Sequence, residues 1–208
     1  MDVYKVADRS GDSQMKLALF DFDGTVTTHD SFRDFLIFVA GMKRFLVRMV
    51  AASPWLLAYL LRLISNQTAK QKITQAFFSG MSRSEFDRSA QDFVAKKLNG
   101  IVRPAALEKI RWHLQQQHRV ILVSASFEDY LKFWCAQHGI ELIATRLEEK
   151  DARLTGRFAT ANCWGPEKVR RIKEVVELDK YEQIYAYGDS RGDQEMLEIA
   201  SEKGYRVF

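Results

Sequence analysis

Asp21 and Asp23 stand one residue apart in "KLALFDFDGTVTTHD", directly after an apolar run, with Gly24 and Thr25 behind them. Residues i and i+2 of an extended segment point to the same side, so both carboxyls can address one reacting centre. Gly24 permits a sharp turn and close backbone approach to a ligand. Three further polar sets follow apolar runs: Ser124 and Ser126 in "VILVSAS", Lys168 in "GPEKV", and Asp189, Ser190 and Asp193 in "YGDSRGD". Four carboxylates gathered in one cleft repel each other. A hard divalent cation with oxygen ligands relieves that, and Mg²⁺ is the common one that keeps waters and takes a phosphate oxygen.

The elements that must position these groups can be read from hydrophobic pattern. Lys16–Phe20 reads as a buried first strand. From about Ser31 to Leu98 the pattern is helical. Gly41 punctuates it, and Ser53-Pro54 predicts a helix boundary with Ser53 as cap. Further helices are expected near 68–78 and 82–98. After Pro104 strands alternate with helices: a helix over 104–118, a strand "RVILVSAS", a helix from Ser126 to Gly139, a strand "ELIAT", a charged hairpin over 146–158, a helix "GPEKVRRIKEVVEL", a strand "QIYAYGDS", a helix from about Asp193 and a last strand "YRVF". Such alternation implies an α/β fold, a Rossmann-like parallel sheet, with an all-helical cap inserted after the first strand. The expected division is a polar lead-in over 1–14, a core over 15–30 and 101–208, and a cap over 31–100. In open sheets of this kind ligands bind beyond the carboxyl ends of the strands, where all the polar sets fall.

In that setting the motifs resemble the haloacid dehalogenase superfamily of aspartyl-nucleophile phosphatases, and within it the phosphoserine-phosphatase-like subclass with a helical cap. The resemblance runs from about Lys16 to the C-terminus. It rests on Asp21-Phe22-Asp23-Gly24-Thr25, on Ser124 at the end of its strand, on Lys168, and on Asp189 with Asp193. It implies Asp21 as nucleophile and Asp23 as general acid and base. Mg²⁺ would be bound by Asp21, the Asp23 carbonyl oxygen and Asp189, with Asp193 supporting from behind. Gly24, Ser124 and Lys168 would hold the phosphate. Asp30 matches a substrate-facing acid of the subclass, usually Glu, and equally suits a helix N-cap. Gly192 replaces the usual Asn before the final Asp, and Ala125-Ser126 replaces Gly-Gly, so the pattern departs from phosphoserine enzymes. Dehalogenases of the superfamily lack the second Asp, so hydrolysis of a phosphate ester is the implied reaction. A phosphotransferase, or a non-catalytic protein docking on membranes through the cap, are the alternatives.

Charge distribution adds a partner. The 208 residues carry net +4, yet no Asp or Glu occurs between Phe35 and Ser84, where seven basic residues lie, leaving the remainder at −3. The apolar run Met49–Leu61, flanked by Arg48 and Arg62, is shorter than the roughly 20 residues a bilayer span needs. It is either the buried part of the cap bundle or a segment lying in a membrane interface against anionic head groups. Some members of the subclass that this chain resembles are phosphatidylglycerophosphatases, whose comparable segment is more hydrophobic. The expected partners are therefore a small phosphorylated substrate and an anionic membrane surface, with no nucleic acid. Cys135 and Cys163 make no disulfide framework, so a cytoplasmic location is expected, peripheral at the inner membrane face if the cap binds lipid. His29, His113, His118 and His138 lack metal-ligand spacing. Trp55, Tyr59, Phe77 and Phe78 are expected in the cap core, and Cys163 as a small buried hydrophobe.

Overall fold

The computed structural model describes residues 15–208; the expected polar lead-in over 1–14 lies outside the described residues. Five parallel strands form one sheet in the order β3-β2-β1-β6-β7: β1 (Lys16–Phe20), β2 (Arg119–Phe127), β3 (Glu141–Thr145), β6 (Gln183–Gly188) and β7 (Glu202–Tyr205). The alternating side chains of β1 divide between two cores. Ala18 and Phe20 face the aromatic side, while Leu17 and Leu19 pack with Ile172, Val176 and Met196 of the opposite face. Helices α5 (Pro104–Gln115) and α6 (Glu128–His138) cover the first face, α7 (Pro166–Val175) and α8 (Gln194–Glu198) the second. The fold is thus the Rossmann-like sheet that the strand and helix alternation predicts.

Between β1 and α5 the chain inserts four helices, α1 (Ser31–Ala40), α2 (Met42–Leu60), α3 (Asn66–Phe78) and α4 (Arg83–Lys96). Gly41, at φ 74°, breaks α1 from α2, and the Ser65 and Ser82 side chains cap α3 and α4. Phe35 anchors the insert, its ring 5.2–5.7 Å from those of Phe78, Phe86 and Phe93 and 4.9 Å from that of Tyr130 on α6. Burying such a side chain contributes roughly 1.5–3 kcal/mol. The hairpin β4 (Leu147–Lys150) and β5 (Arg153–Phe158) leaves the core sheet and joins the insert. Leu154 exchanges backbone hydrogen bonds with Gly80 and Met81.

Four expectations are corrected. Pro54 lies inside α2, which runs through the predicted Ser53 boundary. The residue whose carbonyl Pro54 deprives of a donor, Val50, is exposed, a position where solvent can serve an orphaned helix carbonyl. Ser126 belongs to β2 rather than to a helix start, because a bulge between Ser124 and Phe127 carries the strand onward. The last strand is Glu202–Tyr205, earlier than "YRVF"; Phe208 instead packs on Phe20 and Tyr187. Finally, Met49–Leu61 is not the buried part of a bundle. Ala52 is the buried residue of α2, while Val50, Leu57 and Leu60 are 73%, 57% and 74% exposed. Trp55 and Tyr59 are exposed with them, unlike the buried Phe77 and Phe78.

Gly156 tests the hairpin seam. Its φ is 75°, and a Cβ there would stand 2.6 Å from the Gln75 Cα of α3. Gly156→Ala is expected to lower stability by about 1–3 kcal/mol in urea unfolding. Gly80→Ala, at φ 83° with open space around it, should cost less. Equal losses would show that backbone strain alone, and not the seam, is responsible.

Candidate active site

The carboxyl ends of β1, β2 and β6 meet at one acidic notch. After Phe20 the chain enters a wide turn, Phe22–Val26, in which Gly24 has φ 86°. A side chain at Gly24 would collide with the Asp189 carboxylate, 2.5 Å from a Cβ, so only glycine lets the two strand ends approach. Asp21 is anchored by its N–H to the Tyr187 carbonyl at 2.9 Å. Its Oδ1 accepts from Lys168 Nζ at 2.5 Å. Among the described residues no donor reaches Asp21 Oδ2.

Lys168 is 1% exposed, and its ammonium makes three bonds: to Asp21 Oδ1, to Asp193 Oδ1 at 2.7 Å and to the Val123 carbonyl at 2.7 Å. Burial opposes its charge, but the two carboxylates outweigh that and hold its pKa above the ordinary value. Asp193 is saturated. Its Oδ2 accepts from Ser190 Oγ and from the backbone N–H groups of Ser190 and Asp189. It therefore fixes Lys168 and the turn after β6. Burial pushes Asp21 up to about 7, against the pull of Lys168, and burial with the neighbouring Asp193 charge raises Asp189.

Asp23 occupies the other side of the notch. Its Oδ1 accepts from the Ser31 N–H at 2.7 Å and its Oδ2 from the Ser126 hydroxyl at 2.5 Å. Desolvation raises its pKa, with the Asp30 charge adding, against the two serine bonds. Asp23 is thus biased toward carrying a proton. Asp30 caps α1 by accepting from Arg33 N–H at 3.0 Å and also lines the cleft. Ser124 is fully buried, its Oγ accepting the Ser126 N–H at 3.0 Å.

One oxygen each from Asp21, Asp189 and Asp193 lies within 4.8 Å of the others. Asp189 Oδ1 accepts from Thr25 at 3.2 Å, and among the described residues no donor meets its Oδ2. An acidic, oxygen-only donor set with free carboxylate oxygens on Asp21 and Asp189 fits a hard divalent cation. The notch opens into a cleft of ≈ 330 Å³ between sheet and insert. Sequence reasoning left Ser126 without a role and missed Lys70, Asn162 and Trp164, which line this cleft. Only fold-level proximity reveals them. Trp164 does explain Gly192, since a Cβ there would collide with the indole. Cys163 is buried beside the site and His113 is buried in the core, paired with Tyr187 and His118.

The family model for haloacid dehalogenase-like hydrolase matches residues 18–198, and the chain belongs to that family. Protein CicA of Caulobacter vibrioides is 34% identical over 194 residues, covering 92% of this chain and 86% of that relative. A solved protein of unknown function from Bordetella pertussis Tohama I superposes with TM-score 0.79 at 23% identity, covering 92% of this chain and 89% of the other. A substrate-bound phosphoserine phosphatase superposes with TM-score 0.65 at 17% identity, covering 94% and 90%. A phospho-aspartyl intermediate analogue of phosphoserine phosphatase gives 0.59 at 20%, again covering 94% and 90%. The fold is that of the phosphoserine-phosphatase-like subclass.

Two outcomes follow from this charge arrangement. Lys168→Met leaves two buried carboxylates facing each other and should cost about 3–5 kcal/mol in urea unfolding. Asp21, ordinarily near 3.8, binds its proton more tightly when folded, up to about 7. Its contribution is therefore full below pH 4 and lost as pH rises toward 7. In chelator, the urea midpoint should fall over that window, and Asp21→Asn should flatten the slope.

Proposed function

We propose that this protein is a Mg²⁺-dependent phosphomonoester hydrolase working through an aspartyl-phosphate on Asp21. The observation that carries the reading is the pair itself: Asp21 has one oxygen held by Lys168 and the other open, while Asp23 is biased toward its protonated form. The Asp21 carboxylate attacks phosphorus, forming a new P–O bond as the ester P–O bond breaks. Asp23 gives its proton to the departing oxygen. Water then attacks the aspartyl-phosphate, Asp23 takes a proton back, and inorganic phosphate leaves with Asp21 restored. Lys168, exchanging one of its three protein bonds, together with Ser124 and the backbone at Gly24, holds phosphate oxygens; the Ser124 oxygen accepts the Ser126 N–H and keeps its own hydrogen to donate. Mg²⁺, held by Asp21, Asp189 and the Asp23 carbonyl with Asp193 behind, supplies charge to the phosphoryl oxygens. In this reading residues 15–30 and 101–208 form the catalytic core and 31–100 the cap.

The substrate is a small phosphorylated metabolite or a phospholipid head group, with Asp30 on the substrate side of the cleft. The exposed face of α2 supports peripheral contact with an anionic membrane surface, and so a cytoplasmic site at the inner face of a membrane. Among the described residues no helix is long and apolar enough to cross a membrane. α2 instead offers exposed Val47, Val50, Leu57 and Leu60 beside exposed Lys43, Arg44 and Arg62. That combination suits a helix lying in the interface.

Turnover of p-nitrophenyl phosphate should require Mg²⁺ and fall to background in Asp21→Asn; equal activity in that variant removes Asp21 as nucleophile. Asp23→Asn should lose about 100-fold or more on alkyl phosphates, whose leaving groups need a proton, and less on p-nitrophenyl phosphate. In flotation at low salt the protein should rise with anionic vesicles and not with neutral ones.

A further inference from the structure

We propose that Lys70, carried by the inserted helix α3, is a specificity-determining residue that pairs with a second anionic group, a carboxylate or a phosphodiester, on the alcohol side of the substrate. The inference rests on the hydrolase reading above and concerns what leaves, not what is transferred. Lys70 reaches across from the insert to the core, donating from Nζ to the Ala125 carbonyl at 2.8 Å. That carbonyl, which also accepts from Thr145 Oγ1 at 2.8 Å, can take Lys70 because the β2 bulge lifts Ala125 and Ser126 out of the ladder with β3. The ammonium stands 4.9 Å from the Phe32 ring centre and 5.6 Å from that of Phe127. Three donors thus meet one carbonyl and two aromatic faces.

Among the described residues Lys70 forms no ion pair, although it lines the cleft and its ammonium is desolvated enough to lower its pKa. A half-buried cation that lines a cleft without an ion-pair partner is completed by an anion entering that cleft. The fully buried cation of the notch is already matched: Lys168 has Asp21 and Asp193. Position decides which anion Lys70 awaits. The phosphoryl group must lie against Asp21 and Lys168. Lys70 sits instead beside Ser126, which is bonded to Asp23, and its acidic neighbours are Asp23 and Asp30. Asp23 is the group that protonates the leaving oxygen, so Lys70 flanks the leaving alcohol. A neutral alcohol leaves its charge unanswered, whereas an alcohol bearing an anion answers it.

The test compares 3-phosphoglycerate, and separately glycerophosphoglycerol phosphate, with glycerol 3-phosphate, whose alcohol is neutral. The readout is the ratio of kcat/KM values, which cancels any general loss. Wild type should favour at least one anionic ester. Lys70→Met should lower that ratio about tenfold or more, as expected for a lost charge-assisted hydrogen bond, and Lys70→Arg should retain it. An unchanged ratio, including equal losses on all three esters, overturns the proposal, as does a wild type with no preference. Calorimetric titration of the same esters into Asp21→Asn, with and without Lys70→Met, gives the ratio of Kd values without turnover. A failed hydrolase reading is thereby told apart from a failed role for Lys70, and binding of none of the esters also overturns the latter. Should Lys70→Met not fold, Lys70→Gln carries the same comparison.

Discussion

One buried ammonium makes the site affordable. Asp21, Asp189 and Asp193 converge within 4.8 Å, and Asp23 follows two residues after Asp21. Isolated, such carboxylates would either protonate or push the strand ends apart. Lys168 opposes both by binding Asp21 and Asp193 at once and anchoring itself on the Val123 carbonyl of β2. The ends of β1 and β2 and the turn after β6 are thereby tied through a single side chain. Asp193, with both oxygens committed, transmits that restraint to the backbone N–H groups of Asp189 and Ser190. Among the described residues the oxygens left without a protein donor are Asp21 Oδ2 and Asp189 Oδ2.

The bulge in β2 is the second device. Between Ser124 and Phe127 the pairing with β3 shifts, so Ala125 and Ser126 lie opposite no ladder partner. Bulges beside active sites commonly re-aim side chains and backbone groups. Here the Ser126 hydroxyl turns to Asp23, and the Ala125 carbonyl accepts from both Lys70 and Thr145. One local irregularity therefore holds the Asp23 carboxyl and gives the insert a polar foothold on the core.

What the sequence made legible follows from this division. Asp21, Asp23, Lys168, Asp189 and Asp193 stand at strand ends or helix starts, where short spacing and the α/β pattern place them without knowledge of packing. The parallel sheet was readable for the same reason, since each strand is a short apolar run bounded by turn chemistry. The bulge was not, because "VSAS" carries no glycine or proline to mark it, and so Ser126 was assigned to a helix start. Lys70 was equally silent. It is one of seven basic residues in an acid-free block, and only the docking of α3 on the core separates it from those in solvent. Pro54 misled for a physical reason: the rule that proline ends a helix fails where the orphaned carbonyl faces water.

The insert and the core also differ in how they are held, and that difference bears on function. Core strands pair in ladders interrupted by the β2 bulge, whereas the polar ties between insert and core are separate side-chain contacts. Asn162 donates to Asn66 at 2.9 Å, Lys70 to Ala125, and Arg83 binds Asp129 at 2.5 Å. Beneath them lies the aromatic cluster around Phe35, which joins α1 to α6 and does not depend on the cleft being filled. A hydrophobic seam at the back and side-chain polar contacts at the mouth together attach the insert to the core. α2 belongs to the cleft rim, since Leu56 and Tyr59 line the cleft while neighbouring side chains of the same helix face solvent. An apolar surface that covers nothing stabilises nothing in the isolated fold. Its position puts an exposed apolar face at the rim of the cleft, on the same helix whose Leu56 and Tyr59 line it.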